Sequence, residues 1–534
     1  MISILSTLLI STMVSVHNPT IPVILDREHN IVSEIVIPRE SSGDVSGEVT
    51  VSLEGIPLRA VKDVRLVYTG TVSPLLSRSK SVVMHAHYRQ WGGGESIWRG
   101  DRYAKDLCLR KPGRRDGTVT LSFDRPLVKG DNHFYVSLNV SSSKVSLADT
   151  FSCKVTSVKL GGEVMNITER GASSGRRYAI ALRNHGDDGV DTYRIPGLVT
   201  TLSGDLLAVY DIRRDSSQDL QGDIDVGVQR SSDGGKTWSR MRVAMDMGEY
   251  GGLPEAQNGV GDPCVLVDGR SGDIFIFAIW AHGREGQTAI FSSKTGLDPI
   301  DVSQLVMVRS RDGGRTWSAP VNITSQVKDP ATSTVFQGPG RGITMSDGTL
   351  VVPIQVWDSK KNPSAGIIYS KDGGDTWRIS SMAAGNVCED QVVELRPGTL
   401  LLNMRNFGNS DKTRKAYVSE NLGQTWEPHV SNDVLPEPQC QASLLMSGTA
   451  PKDILLFANP ASMSGRINFT VRASEDFGAT WPHALLLDEE SGWGYSCMTM
   501  IDSGTIGILY EGSTTQLVFQ AIRLADILSA KVAN

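Results

Sequence analysis

The sequence predicts an all-β chain, a six-bladed β-propeller preceded by an N-terminal β-sandwich. Two patterns carry that expectation. An octapeptide of fixed chemistry recurs five times in the C-terminal two thirds. Ahead of it runs a stretch of short segments in which apolar and polar residues alternate. The 54 glycines among 534 residues add a third sign, since a fold of many tight turns uses glycine heavily.

The octapeptides are SSDGGKTW (231–238), SRDGGRTW (310–317), SKDGGDTW (370–377), SENLGQTW (419–426) and SEDFGATW (474–481). They follow one another at intervals of 79, 60, 49 and 55 residues, as expected for one repeated unit with loops of variable length. The box has the chemistry of a turn. Asp or Asn accepts backbone N–H groups, Gly supplies a positive φ, and Thr and Trp restart a strand, with the Trp expected beneath the hairpin as an anchor. Around the boxes lie short β-rich runs such as LLAVYDI, DIFIFAIW, LVVPIQVW and IGILYEG. Four-stranded units repeated in this way form propellers, whose radial arrangement protects sheet edges. Five boxes plus one degenerate unit predict six blades over 176–534.

Residues 22–175 carry no box. EVTVSLEG, DVRLVYTG, TVTLSFD and HFYVSLNV alternate with period two, the pattern of half-buried strands in an antiparallel sandwich. The loose aromatic cluster His85, Tyr88, Trp91 and Trp98 makes glycan contact through this domain one expectation and an aromatic core the other. Residues 2–16 are apolar and uncharged, too short to span a bilayer comfortably, and read as the h-region of a signal peptide covering 1–20. A buried N-terminal strand is the alternative. Export to the periplasm, cell surface or medium follows from the first reading.

A formal net charge of −6 provides no global field for nucleic acid, so any bound anion must meet a local cluster of arginine or lysine. The six cysteines form no C-x-x-C pair, which argues against a zinc site or a dithiol centre; pairing of Cys108 with Cys153 stays open. No metal-ligand spacing, P-loop or dinucleotide fingerprint is present, and no cofactor is expected.

The residues with chemistry to offer lie in and after the first repeat. Arg194 stands in YRIP (193–196), Arg405 closes the strand LLNMR, and Arg466 lies in NPASMSGRINFTVRAS. Tyr495 is in SGWGYSCMTM and Glu389 in CEDQVVEL. Asp219 belongs to RDSSQDLQGDIDVGVQR, with Asp215, Asp223 and Asp225 as nearby competitors. Arg213 ends YDIR, Asp262 begins DPCVLVD, Glu511 lies in ILYEG, and Gln337 in FQGPGRG.

With these motifs, residues 176–530 resemble the bacterial retaining exo-sialidases, in which the octapeptide is called the Asp box. The N-terminal region is similar to the carbohydrate-binding-type domain that precedes the propeller in some sialidases of gut and oral Bacteroidota. The resemblance implies that Arg194, Arg405 and Arg466 grip the sialic acid carboxylate, since planar guanidinium forks onto carboxylate in a way that lysine cannot reproduce. It makes Tyr495 the nucleophile, Glu389 the group that polarises its hydroxyl, and Asp219 the general acid/base. A phenol with an ordinary pKa of about 10 needs such a partner. A neutral nucleophile also avoids the repulsion that a carboxylate would meet at an anomeric carbon already bearing one. Arg213 and Asp262 are implied in the same pocket, Glu511 as the partner of Arg194, and Gln337 as either pocket lining or loop scaffold. Trp280 and His282 are candidates for the glycerol tail or the aglycone, or else core.

The implied substrates are sialylated glycans, from sialyllactose to mucin-type glycoproteins and glycolipids. Two rivals remain: a trans-sialidase, or a propeller lectin that binds sialosides without cleaving them. The lectin would be expected to lack Tyr495, Glu389 or Asp219, and all are present.

Overall fold

The computed structural model describes residues 13–71, 105–110 (backbone path only), 117–283, 287–408, 411–448 and 453–531. The aromatic cluster His85, Tyr88, Trp91 and Trp98 lies outside them. The chain divides into two compact units at Ala179/Ile180. Among the described residues no helix is long and apolar enough to cross a membrane.

The first unit is two sheets packed face to face. One has the order Asn166–Gly171, Met13–Asn18, Ile31–Arg39, Gly130–Val140, Val61–Gly70 and Lys105–Arg110; the other is built on Thr150–Leu160, Gly43–Glu54 and Thr118–Leu127. In Gly43–Glu54 and Thr118–Leu127 burial alternates residue by residue, so one face of each strand looks inward, as the sequence period requires. Phe123 of the second sheet meets Phe134 of the first at 4.9 Å, and Tyr68 closes on the same ring at 4.9 Å.

Two questions that the sequence left open meet the structure here. Met13–Asn18 is a strand, hydrogen-bonded on both sides, with Val14 and Val16 buried. Burial at 13–18 is what the alternative reading, a buried N-terminal strand, expects of these residues; residues 1–12, with the rest of the apolar stretch, lie outside the described residues. The unit accordingly reaches back beyond residue 22. Cys153 is a free, buried thiol on Thr150–Leu160, so it is not joined to Cys108, which lies on a strand of the other sheet.

The second unit is a succession of antiparallel sheets. Four strands, Thr192–Thr200, Leu206–Arg213, Ile224–Ser231 and Arg242–Met245, make the first. Four more sheets follow, beginning with Val260–Val267, Thr334–Gln337, Val387–Arg396 and Ser443–Met446. The last comprises Ser496–Asp502, Thr505–Tyr510 and Leu517–Arg523, and its outer place is filled from the beginning of the unit, with Ile180 opposite Phe519 and Ala181 opposite Val518.

The strands are buried on both faces because the sheets stack on one another. All eight residues of Leu206–Arg213 and all seven of Ile274–Trp280 are buried. One apolar cluster joins the first sheet to the second through Val209, Val226, Val265 and Ile276; another joins the second to the third through Phe275, Phe277, Leu350 and Val352. Opening strands of neighbouring sheets adjoin, Thr192–Thr200 beside Val260–Val267 and Val387–Arg396 beside Ser443–Met446, and Ser496–Asp502 of the last sheet packs beside Thr192–Thr200 of the first.

Each box connects the third strand of its sheet to the fourth, and all five adopt one turn. In the second box Ser310 Oγ accepts from Gly314 N at 2.8 Å, while Asp312 accepts from Thr316 N at 2.9 Å and Thr316 Oγ1 at 2.6 Å. Bonds from the threonine hold Asp372 and Asp476 down to a pKa of about 2. The tryptophan does more than anchor its own hairpin. Trp377 of the third sheet packs on Phe277 of the second at 5.0 Å, and Trp238 of the first on Phe519 of the last at 5.2 Å.

Candidate active site

Most of the polar residues singled out above collect at one end of these sheets, where first strands begin and second strands finish. Arg194 pairs with Asp211 across the first sheet, and Cys388, beside Glu389, pairs with Arg405 across the fourth. The loops from second to third strand at the same end carry Asp219 and Arg466. Three opening strands share a device that the sequence did not reveal. Each is interrupted by a bulge, between Arg194 and Gly197, Gly261 and Cys264, and Cys388 and Asp390. At each bulge a residue other than glycine sits at positive φ: Ile195 at 57°, Asp262 at 55° and Glu389 at 35°. Such bulges re-aim side chains at the cost of local strain, and that strain is held by the packed sheets around it.

Tyr495 and Glu389 form the centre. The Tyr495 hydroxyl donates to Glu389 Oε1 at 2.5 Å, and Arg405 Nη1 donates to Glu389 Oε2 at 2.5 Å and to the tyrosine oxygen at 3.1 Å. Burial, and then the neighbouring Glu389 carboxylate, push the Tyr495 pKa well above its ordinary value, so the phenol is neutral and its proton points at Glu389. The guanidinium carbons of Arg194 and Arg466 lie 5.1 Å and 5.5 Å from the centre of the Tyr495 ring. Three cations thus converge on one phenol.

Arg194 and Arg466 are fixed from behind. Glu511, 2% exposed, accepts from Arg194 Nε at 3.0 Å, from Arg194 Nη2 at 3.4 Å and from Ile195 N at 2.9 Å. It also accepts from Tyr495 N at 3.1 Å, so a single carboxylate sets both the first arginine and the tyrosine. Burial disfavours the charge on Arg194, and Glu511, together with Asp219 and Tyr495, more than offsets it. Arg466 donates to the carbonyls of Trp493 at 2.9 Å and Gln439 at 2.8 Å. The Trp493 ring, in turn, carries the Arg194 guanidinium at 4.3 Å. Trp493 went unremarked in the sequence; its place two residues before Tyr495 was the available signal.

Asp219 joins this group through Arg213 and Arg194. Its Oδ1 accepts from Arg213 Nη1 at 2.7 Å and lies 3.5 Å from Arg194 Nη1, while the side chain is 77% exposed. Burial of its surroundings works against ionisation, but Arg213 and then Arg194 outweigh it and bring the pKa down to about 2. Arg213 is itself held by Asp211, with bonds of 3.1 and 2.9 Å. Leu220, 6% exposed, roots the loop in an apolar cluster with Ile279, Ala281 and Cys388. The competitors are elsewhere: Asp223 and Asp225 pair with Arg214, and Asp215 is exposed without reaching the arginines of the site.

Asp262 lies beside Asp211, which accepts from its backbone N at 2.8 Å. Burial, followed by the charges of Asp211 and Asp219, raises its pKa well above the usual carboxyl range, so it keeps its proton and offers a donor. Gln337 departs from the pocket-lining expectation. It is fully buried, and its Nε2 donates to the carbonyls of Gly261 and Asp262. It therefore braces the bulge that presents Asp262 and has no surface to offer a ligand. Trp280 and His282 are buried as well.

Residues 204–508 match the BNR repeat-like domain family, and residues 11–164 match the N-terminal domain of BNR-repeat neuraminidase. A sialidase of Bacteroides fragilis is 42% identical over 524 residues, covering 96% of this chain and 95% of its own length. The chain belongs to the bacterial sialidase family. Sialidases of this family are glycoside hydrolases, and the chain is an enzyme of that class. The solved structure of a Hadza microbial sialidase superposes with a TM-score of 0.88 at 43% identity, over 96% of this chain and all of that one. The sialidase of Micromonospora viridifaciens is 34% identical over 342 residues, which are 62% of this chain and 51% of that protein. Structures of Trypanosoma rangeli sialidase, at 22% identity and a TM-score of 0.53, share the fold.

Proposed function

We propose that the second unit is a six-bladed propeller whose site acts as a retaining exo-sialidase, releasing terminal sialic acid from glycans with Tyr495 as nucleophile. The observation that carries the reading is the neutral Tyr495 hydroxyl, bonded at 2.5 Å to Glu389 and overlooked by Arg194, Arg405 and Arg466. The six stacked sheets, with the last completed by the start of the unit, support the propeller.

In this mechanism the three guanidiniums take the substrate carboxylate and hold the anomeric carbon over Tyr495. Glu389 accepts the phenol proton as the tyrosine oxygen bonds to that carbon. Asp219 gives a proton to the departing glycosidic oxygen and later takes one from the attacking water. In the free protein Arg213 and Arg194 keep Asp219 ionised. A substrate carboxylate on Arg194 takes up that cation and adds a negative charge nearby, and both changes raise the Asp219 pKa toward a working acid. Protonated Asp262, beside Asp211, donates to a substrate hydroxyl. Sialylated lactose, mucin-type glycoproteins and glycolipids are the substrates of this reading, and export to where they occur is part of it.

The test is release of free sialic acid from mixed α2,3- and α2,6-sialyllactose by the native chain and by Tyr495→Phe. The native chain is expected to release it with retained configuration, and the phenylalanine variant to lose at least about a thousandfold in kcat, in line with loss of a nucleophile. A folded native chain that releases nothing, or a Tyr495→Phe variant of native kcat, overturns the proposal. Sialic acid moved mainly to lactose would make the enzyme a transferase.

A further inference from the structure

Tyr250 is 50% exposed, although its ring lies edge-on to Trp280 at 5.0 Å and to His282 at 5.5 Å. An aromatic side chain seated on two buried rings, yet open on its other side, is a platform. Its backbone is fixed in advance. Asn258, 2% exposed, donates to the carbonyls of Tyr250, Leu253 and Pro254 at 3.2–3.3 Å and meets His282 Nδ1 at 2.7 Å.

The same segment clasps the Asp219 loop. Gly259 N donates to Gln221 Oε1 at 3.2 Å, Gln221 Nε2 donates to Ala281 O at 2.5 Å, and Ala289 N donates to Leu220 O at 2.9 Å. The platform and the general acid therefore stand on one framework. A residue that protonates the leaving oxygen must face the leaving sugar, so this side of the site is where that sugar emerges.

The electrostatics narrow the class of sugar. Asp223, Asp225 and Glu255 bring carboxylate oxygens within 4.8 Å of one another, and Glu249 directly precedes Tyr250. Arg214 pairs with Asp223 and Asp225. Carboxylates accept from sugar hydroxyls and repel a second carboxylate.

We propose that Tyr250 is the stacking platform of a subsite for the sugar that leaves, and that this subsite takes a neutral hexose and disfavours a second sialic acid. The inference rests on the reading of Asp219 as the acid. Tyr250 stacks on the C–H face of the hexose while the part-exposed Asp223 and Glu255 accept from its hydroxyls; Asp225, buried behind them, adds only its charge.

The experiment compares the native chain, Tyr250→Ala and Tyr250→Phe on 3′-sialyllactose and on α2,8-linked disialic acid. Inhibition by 2-deoxy-2,3-didehydro-N-acetylneuraminic acid, which has no leaving sugar, is measured alongside. Tyr250→Ala should raise KM for sialyllactose about three- to tenfold, the range of one aromatic contact, with kcat and the inhibition constant unchanged. Tyr250→Phe should behave as native, and disialic acid should be the poorer substrate of the native chain. An unchanged KM in Tyr250→Ala overturns the inference, as does an inhibition constant that rises with KM. If the native chain cleaves nothing, the proposed function fails separately. The platform is then read from the dissociation constants of sialyllactose and the inhibitor.

Discussion

Glu511→Gln preserves the shape of a side chain and removes its charge at the point where the site is most interdependent. Four N–H groups aim at the two oxygens of Glu511. Oε1 receives Arg194 Nε and Ile195 N, and Oε2 receives Arg194 Nη2 and Tyr495 N. A glutamine has one oxygen. If it keeps Arg194 Nε and Ile195 N, its amide nitrogen faces two donors and Tyr495 N goes unpaired; in the other orientation the arginine and the bulge lose their anchor. Breaking a buried ion pair from one side costs about 3–5 kcal/mol, because the remaining charge is left uncompensated. A loss of about 3 kcal/mol in transition-state stabilisation corresponds to about 150-fold in kcat/KM. We expect at least a hundredfold loss of kcat/KM on a fluorogenic sialoside, accompanied by a lower urea midpoint. A Glu511→Gln variant with native kcat/KM would refute the argument that this carboxylate sets Arg194 and Tyr495, whatever its stability.

Two further outcomes follow from the scaffold. Gly374 has φ +89° and a Cβ there would come 2.5 Å from the Phe275 ring, whereas Gly373, at φ +71°, faces open space; Gly374→Ala should cost about 2–4 kcal/mol in urea unfolding and Gly373→Ala about 1. Burial raises Asp488 to a pKa of about 7 despite bonds from Ser513. A carboxyl raised on folding contributes stability that is complete below its unfolded pKa of about 4 and lost as pH rises through about 7, at no more than about 1.4 kcal/mol per pH unit. Melts between pH 4 and 8 should therefore be flatter for Asp488→Asn than for the native chain; an unchanged slope would show that Asp488 is ionised in the fold.

The sequence alone determined the all-β class of the fold and most of the residues that gather in the candidate site. The five boxes announce their turns because Ser, Asp, Gly and Thr satisfy one another within eight residues, and local bonds are legible locally. Arg194, Asp219, Glu389, Arg405, Arg466, Tyr495 and Glu511 were identifiable because each stands in a recognisable motif. Tertiary structure decided what depends on partners distant in the chain. Residues 2–16 read equally as an h-region or a buried strand because the two have the same apolarity, and only tertiary structure shows Met13–Asn18 hydrogen-bonded to two other strands. Gln337 lay in a glycine-rich loop that suggested a pocket or a scaffold equally, and only the structure shows it fully buried with its amide nitrogen spent on Gly261 and Asp262, some 75 residues away. The three bulges, and the contact that gives Trp493 its role, were hidden for the same reason. A bulge is a misfit between two paired strands, and a guanidinium resting on an indole is a meeting of separate segments; neither has a signature in one segment read by itself.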